Sequence, residues 1–256
     1  MSYSIETQGL TKAFNGFLAV NNVSIQVETG LIFGLLGPNG AGKSTFIRML
    51  CTLLQPTSGQ AYINGYNVQK DTNEVRKLIG VVQEKLLLYP VLTPKENLEL
   101  FGRLYDVDSN ILEDRVNSLL EEVKLSSVKD KPVGTFSTGM RQRVNIVRAL
   151  IHDPKVVILD EPTNGLDPQS TRWVKDYILK LKKMGMTVLI TTHDMQEADE
   201  LTEELAIMDK GEAIAIGQAA ELKEKYGVKT MEELFLNLTG RELRDSVSGR
   251  LRRTWS

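Results

Sequence analysis

The residues richest in chemistry are Gly37-Pro38-Asn39-Gly40-Ala41-Gly42-Lys43-Ser44-Thr45. Glycines without a Cβ let the backbone turn sharply and press close to a ligand. The apolar run Leu31-Ile32-Phe33-Gly34-Leu35-Leu36 before it reads as a buried strand, and Phe46-Ile47-Arg48-Met49-Leu50 after it opens a helix. Such a strand–loop–helix aims several unpaired N–H groups and the positive end of a helix dipole at one point. That point is an anion site whose size suits a triphosphate. Lys43 is placed to reach the β- and γ-phosphates, and the Ser44 hydroxyl to ligate the Mg²⁺ that travels with them. The stretch predicts a nucleotide-binding loop.

Three other places offer matching chemistry. Val156-Val157-Ile158-Leu159-Asp160-Glu161-Pro162 is a buried strand ending in two carboxylates. Asp160 is suited to hold Mg²⁺, and Glu161, one residue further, to face an attacking water. Phe136-Ser137-Thr138-Gly139-Met140-Arg141-Gln142-Arg143 opens a helix, so Ser137 and the amides around Gly139 form a second anion site. Thr191-Thr192-His193-Asp194 puts His193 at the end of a strand, on the edge where open α/β sheets bind ligands. The other histidine, His152, lies in a loop beside Asp153-Pro154 and reads as structurally neutral.

With these motifs in this order the sequence resembles the ATP-binding-cassette (ABC) ATPases, over about residues 3–217. The resemblance implies a P-loop NTPase of RecA-like α/β fold, with an antiparallel β subdomain and an inserted α-helical subdomain. It makes Ser137, Thr138, Gly139 and Met140 a signature that acts in trans on ATP held by a second subunit. The family pattern there is L-S-G-G-Q, and this chain departs from it at Phe136, Thr138 and Met140. His193 resembles the family's switch histidine, which contacts the γ-phosphate and orders the water. Gln83 resembles the glutamine that contacts Mg²⁺ at a hinge between lobes, and Asp167 of Gly165-Leu166-Asp167 the residue crossing the dimer interface. Phe14 resembles the aromatic that stacks on adenine. Glu161 then serves as general base, and ATP and Mg²⁺ are the implied cofactors.

Elements to position these groups are legible around them. Residues 5–7 and 23–27 alternate apolar and polar as half-buried strands do. The helix after the phosphate loop is expected to run to about Leu54, stopped by Pro56 and Gly59. Strands follow at 61–65 and 78–82, and from about 84 to 150 the pattern turns helical. Thr93-Pro94-Lys95-Glu96 is a capping box with proline at the first helical position. Amphipathic segments follow over 111–123 and from Ser137. Strands return at 156–160, 188–191 and 205–208, with a helix over 172–184 between the first two. Apolar runs alternating with helices predict a mostly parallel sheet covered on both faces. Residues 1–217 form the expected ATPase domain and 218–256 a helical extension whose end, 241–253, holds five arginines and reads as a solvated tail.

Bulk properties narrow the setting. Hydrophobic residues make up 41% and charged residues 25% of 256, ordinary for a soluble globular chain. A net charge of −2 gives no field for nucleic acid. No run nears the roughly 18 apolar residues of a membrane span. The single cysteine, Cys51, excludes an internal disulfide and reads as a buried structural thiol. The expected setting is cytoplasmic, on the inner face of the membrane through a separate integral permease. The resemblance implies a head-to-tail homodimer or a pair with a paralogous subunit. Residues 83–93, with Leu86, Leu87, Leu88 and Tyr89, are the expected permease-docking segment. Ser-x-Gly-Met-Arg-Gln-Arg and the stretch 232–242 resemble the drug-export branch, so export is expected over import. A soluble ABC ATPase of the translation or DNA-repair kind is the alternative.

Overall fold

The structure, a computed structural model, describes residues 2–84 and 86–240. The arginine-rich stretch 241–253 lies outside them. Strands β1 (Tyr3–Phe14) and β2 (Phe17–Val23) form a hairpin, followed by β3 (Gln26–Glu28) and the buried β4 (Ile32–Leu36). The phosphate loop leads into α1 (Lys43–Leu50), then β5 (Ser58–Ile63), β6 (Tyr66–Asn67), α2 (Thr72–Leu78) and β7 (Ile79–Val82). Helices α3 (Pro94–Leu104), α4 (Ser109–Glu122) and α5 (Thr138–Leu150) make the helical lobe. The chain continues through β8 (Val156–Asp160), α6 (Pro168–Lys183), β9 (Thr187–Thr192), α7 (Met195–Leu201), β10 (Glu204–Asp209) and β11 (Glu212–Gly217). It ends in α8 (Ala219–Tyr226) and α9 (Met231–Thr239).

Two sheets result. One runs β11-β10-β4-β9-β8-β7, parallel throughout except for β11. The other, β2-β1-β5-β6 with β3 beside β1, is antiparallel. The expected class holds: a mostly parallel α/β core, an antiparallel β subdomain and an inserted helical lobe. Every residue of β4, β8 and β9 is buried, which is why their central residues are consecutive apolar ones rather than alternating with polar ones.

Three apolar clusters hold the layers. One joins the helical lobe, through Leu98, Val116 and Leu120, to Leu159, Ile178 and Ile190. A second sits between the antiparallel sheet and the parallel one, around Ile5, Phe33, Phe46 and Ile158. Cys51 lies in it, and burial pushes its thiol up to about 12, so it is an inert filler. The third packs Met231, Leu234 and Phe235 of α9 on Leu36, Ala198 and Leu205.

Helix boundaries depart from expectation in two places. Helix α1 stops at Leu50, with Thr52 in the left-handed region at φ 60° and the amides of Leu53 and Leu54 turning back to Arg48 O. The stop is made there, ahead of Pro56. Helix α6 starts at Pro168, four residues earlier than its apolar pattern implies, because Asp167 caps it and proline fits the first turn.

Candidate functional site

Parallel pairing brings the ends of β4, β8 and β9 together, with Leu36 beside Thr192 and Asp160 beside Thr191. Each strand therefore delivers its next residues to one edge of the sheet. A cleft of about 340 Å³ opens there, lined by residues 38–45 of the phosphate loop with Phe17, Ala19, Glu84, Glu161, Asn164 and His193. Within the loop, Gly42 has φ 104°, and a Cβ on it would collide with the Ala19 carbonyl. Only glycine fits that place, which lets the loop close over the β-hairpin.

Lys43, buried at 6% exposure, has its Nζ 2.6 Å from Gly37 O and 3.2 Å from Glu161 Oε1. The second Glu161 oxygen is 2.8 Å from His193 Nδ1. One carboxylate thus spans the loop lysine and the histidine. Glu161 itself is left-handed, φ 49°, which costs a residue with a Cβ on the order of 1–3 kcal/mol. Its amide is held by Thr191, donating to Oγ1 at 3.0 Å. The Thr191 hydroxyl donates in turn to Asp160 Oδ1 at 2.5 Å. Burial raises the Asp160 carboxyl above its ordinary range, the Thr191 bond works against this, and the nearby Glu161 and Glu84 charges add to it. The Asp160 carboxylate and the exposed Ser44 hydroxyl are hard oxygen donors of the kind that suit Mg²⁺.

The signature residues lie apart from this cleft. Ser137 and Thr138 are exposed at the start of α5, where Ser137 Oγ accepts from Met140 N at 3.2 Å. A Cβ on Gly139 would overlap Ser170 Oγ, so the signature turn is packed directly against the start of α6. Asp167 caps α6, its oxygens taking Ser170 Oγ at 2.6 Å and Ser170 N at 2.9 Å. The Ser170 hydroxyl and then its amide hold the Asp167 carboxyl below its usual range. The turn at residues 137–139 and Asp167 are therefore neighbours at the surface, away from the cleft.

Three expected placements differ in the structure. Phe14 does not line the cleft: it is 45% exposed, with Lys12 Nζ 5.1 Å from its ring centre, while its hairpin partner Phe17 lines the cleft instead. Gln83 is half-buried and off the cleft wall, where the adjacent Glu84 stands, accepting from Asn164 Nδ2 at 3.1 Å. In the docking segment Leu88 packs into the helical lobe's core, and Leu86 is half-buried. Leu87 and Tyr89 remain exposed, joined by Val91. His152, read from the sequence as structurally neutral, is instead stacked on Tyr105 at 3.8 Å, with Nε2 2.9 Å from Ile79 O.

The family model described as ABC transporter matches residues 20–164. The chain is 39% identical over 230 residues to the linearmycin resistance ATP-binding protein of Bacillus subtilis, covering 90% of this chain and 74% of that one. It belongs to the ABC transporter family. A daunorubicin/doxorubicin resistance ATP-binding protein of Streptomyces peucetius is 42% identical over 224 residues, 88% of this chain and 68% of its own. Among solved structures, an ATP-binding subunit of an ABC transporter superposes with TM-score 0.84 at 30% identity, covering 92% of this chain and 99% of that one. An ATP-binding cassette solved as a dimer with ADP and Pi gives TM-score 0.75 at 28% identity, over 84% and 98%. This ABC protein is an ATP-binding and ATP-hydrolysing subunit of the exporter type, and the relatives do not favour the soluble alternative. Subunits of this kind act with a membrane permease and dimerise. Among the described residues no helix is long and apolar enough to cross a membrane.

Proposed function

We propose that two copies, or one copy and a paralogue, sandwich two ATP molecules head to tail and drive a separate permease on the inner face of the membrane. Residues 1–217 carry the chemistry. Lys43 and the unpaired amides among residues 39–45 grip the phosphates. Ser44 and Asp160 are the protein groups that would hold Mg²⁺, whose charge would offset that of the phosphate oxygens. Glu161 takes a proton from water as the water oxygen bonds to the γ-phosphorus and the bond to ADP breaks. His193 fixes the water and the carboxylate. Ser137, Thr138, Gly139 and Met140 of the second subunit supply outward-facing donors to the γ-phosphate, and Asp167 lies at that interface. Phe17 replaces Phe14 as the aromatic wall for the base. Leu87, Tyr89 and Val91 form the exposed part of the permease contact.

The observation that carries this reading is the Glu161 carboxylate spanning Lys43 and His193 at the mouth of the phosphate loop. Glu161→Gln keeps the shape and removes the base. It is expected to bind ATP as wild type does and to hydrolyse it about 10²–10⁴-fold more slowly. Phosphate release and fluorescent-nucleotide binding measure the two, and wild-type turnover in the variant overturns the assignment.

A further inference from the structure

Glu197 takes no part in the chemistry above, yet it is almost wholly buried, at 1% exposure, beside the nucleotide site. We propose that Glu197 is a positioning residue for hydrolysis, locking the loop that follows the base to the helix that follows the histidine. The inference rests on the roles given above to Glu161 and His193.

Glu197 Oε1 accepts from Thr163 Oγ1 at 2.7 Å, and Glu197 Oε2 is buried without a hydrogen-bond partner among the described residues. Leaving a buried polar atom bare costs about 1–3 kcal/mol. An aliphatic side chain would fill the same space without that cost, so packing alone does not account for a carboxylate here. What the carboxylate adds is a closed circuit. Glu161 Oε2 meets His193 Nδ1 at 2.8 Å; His193 is bonded to Asp194, whose Oδ1 accepts the amide of Glu197 at 3.1 Å; and Glu197 grips Thr163, two residues beyond Glu161. Base and histidine are thereby fixed from behind as well as across the cleft.

The same loop, 162–167, is gripped from two further sides. Gln142 Nε2 of α5 donates to Pro162 O at 2.7 Å, and Asn164 Nδ2 donates to Glu84. The loop ends at Asp167, beside the signature turn. A shift there on engaging a second subunit thus passes along three residues to Thr163, and Glu197 relays it to the helix of His193. A misplacement of reacting groups of the order of 1 Å costs about 10²-fold in rate, so loss of a single strut is expected to cost about ten-fold.

The test uses the full chain and compares Thr163→Val, Glu197→Ala, the double variant and Glu197→Gln, whose amide oxygen still accepts from Thr163. Thr163→Val and Glu197→Ala are expected to lower kcat by about ten-fold each, leaving nucleotide Kd within about two-fold, with the melting midpoint of Thr163→Val a few degrees below wild type because Glu197 Oε1 loses its partner. The double variant is expected to be no slower than either single one, and Glu197→Gln to stay within about three-fold of wild type. Multiplying losses in the double variant, a change confined to Kd, or wild-type kcat in Thr163→Val overturns the proposal. Should Glu197→Ala fail to fold, Thr163→Val with Glu197→Gln decides it. His193→Ala run alongside separates the two levels. If it is inactive while the Thr163 and Glu197 variants are normal, only the positioning role fails; if it turns over at the wild-type rate, the assignment of the site fails with it.

Discussion

At the scale of residues, the nucleotide site depends on what is missing from side chains as much as on what is present. Gly42 closes the phosphate loop at φ 104° against the Ala19 carbonyl. A methyl group there must push the loop off the hairpin and adopt a backbone region costly for alanine. Gly42→Ala is expected to weaken nucleotide binding by at least about ten-fold, equivalent to about 1.4 kcal/mol, a cost within the 1–3 kcal/mol range for strained backbone. Titration with a fluorescent ATP analogue reads the change, and wild-type affinity counts against the loop geometry. The loop, Asp160, Glu161 and His193 were legible because each sits at the end of an apolar run, and parallel strands bring such ends to one edge. The aromatic wall was not. Phe14 and Phe17 are cross-strand partners flanking the same two-residue turn, and register shifts between Leu10 and Ala13 set how the hairpin twists over the loop. Nothing in the local pattern encodes which ring reaches the cleft. Thr191 and Glu197 were hidden for a related reason: their hydrogen-bond partners lie 31 and 34 residues away.

At the scale of elements, caps and contacts decide where the helices start, stop and lean. The capping box at Thr93 and the serine cap at Ser137 place α3 and α5 as their sequences require. Helix α2 escaped the pattern because seven residues are too few to show a period. The join between helical lobe and core is less visible still. His152, just past α5, stacks on Tyr105 at the end of α3, and its Nε2 is 2.9 Å from Ile79 O at the start of β7. With Nε2–H donating, Nδ1 is a buried lone pair with no partner among the described residues. Burial lowers the imidazole below its ordinary 6.5, aided by Arg148 and Arg115 and opposed by the Ile79 bond and Asp153. The folded chain therefore binds this proton less readily than the unfolded chain. Stability from His152 is complete above about pH 6.5 and is lost as pH falls through the lower folded value. His152→Phe keeps a ring on Tyr105 and removes the proton. The stability difference between the two proteins, from urea midpoints, is expected to be flat above pH 6.5 and to shift in favour of the variant toward pH 5. A constant difference across that range counts against a neutral buried His152.

At the scale of the whole molecule, the site lies where the three apolar clusters meet. Leu36 belongs to the C-terminal cluster and ends at the phosphate loop; Ala41 and Phe46 belong to the β-subdomain cluster; Leu159, next to Asp160, belongs to the helical-lobe cluster. The core therefore continues across the expected division at residue 217. Leu234 and Phe235 of α9 are buried on Leu36, and on Ala198 of the helix behind His193, while Lys223 of α8 pairs with Asp199 at 2.7 Å. Leu234, at 0% exposure, has no slack around it, so Leu234→Ala is expected to cost about 2–5 kcal/mol, whereas exposed Glu232→Ala stays within about 0.5 kcal/mol. Because the cluster is shared, the loss is expected in one cooperative unfolding transition that also carries the nucleotide site. Urea unfolding followed both by far-UV signal and by release of a bound fluorescent nucleotide distinguishes the cases. Coincident curves displaced together in Leu234→Ala establish a common core; a separate early transition that leaves nucleotide bound would make residues 218–240 a dispensable appendage.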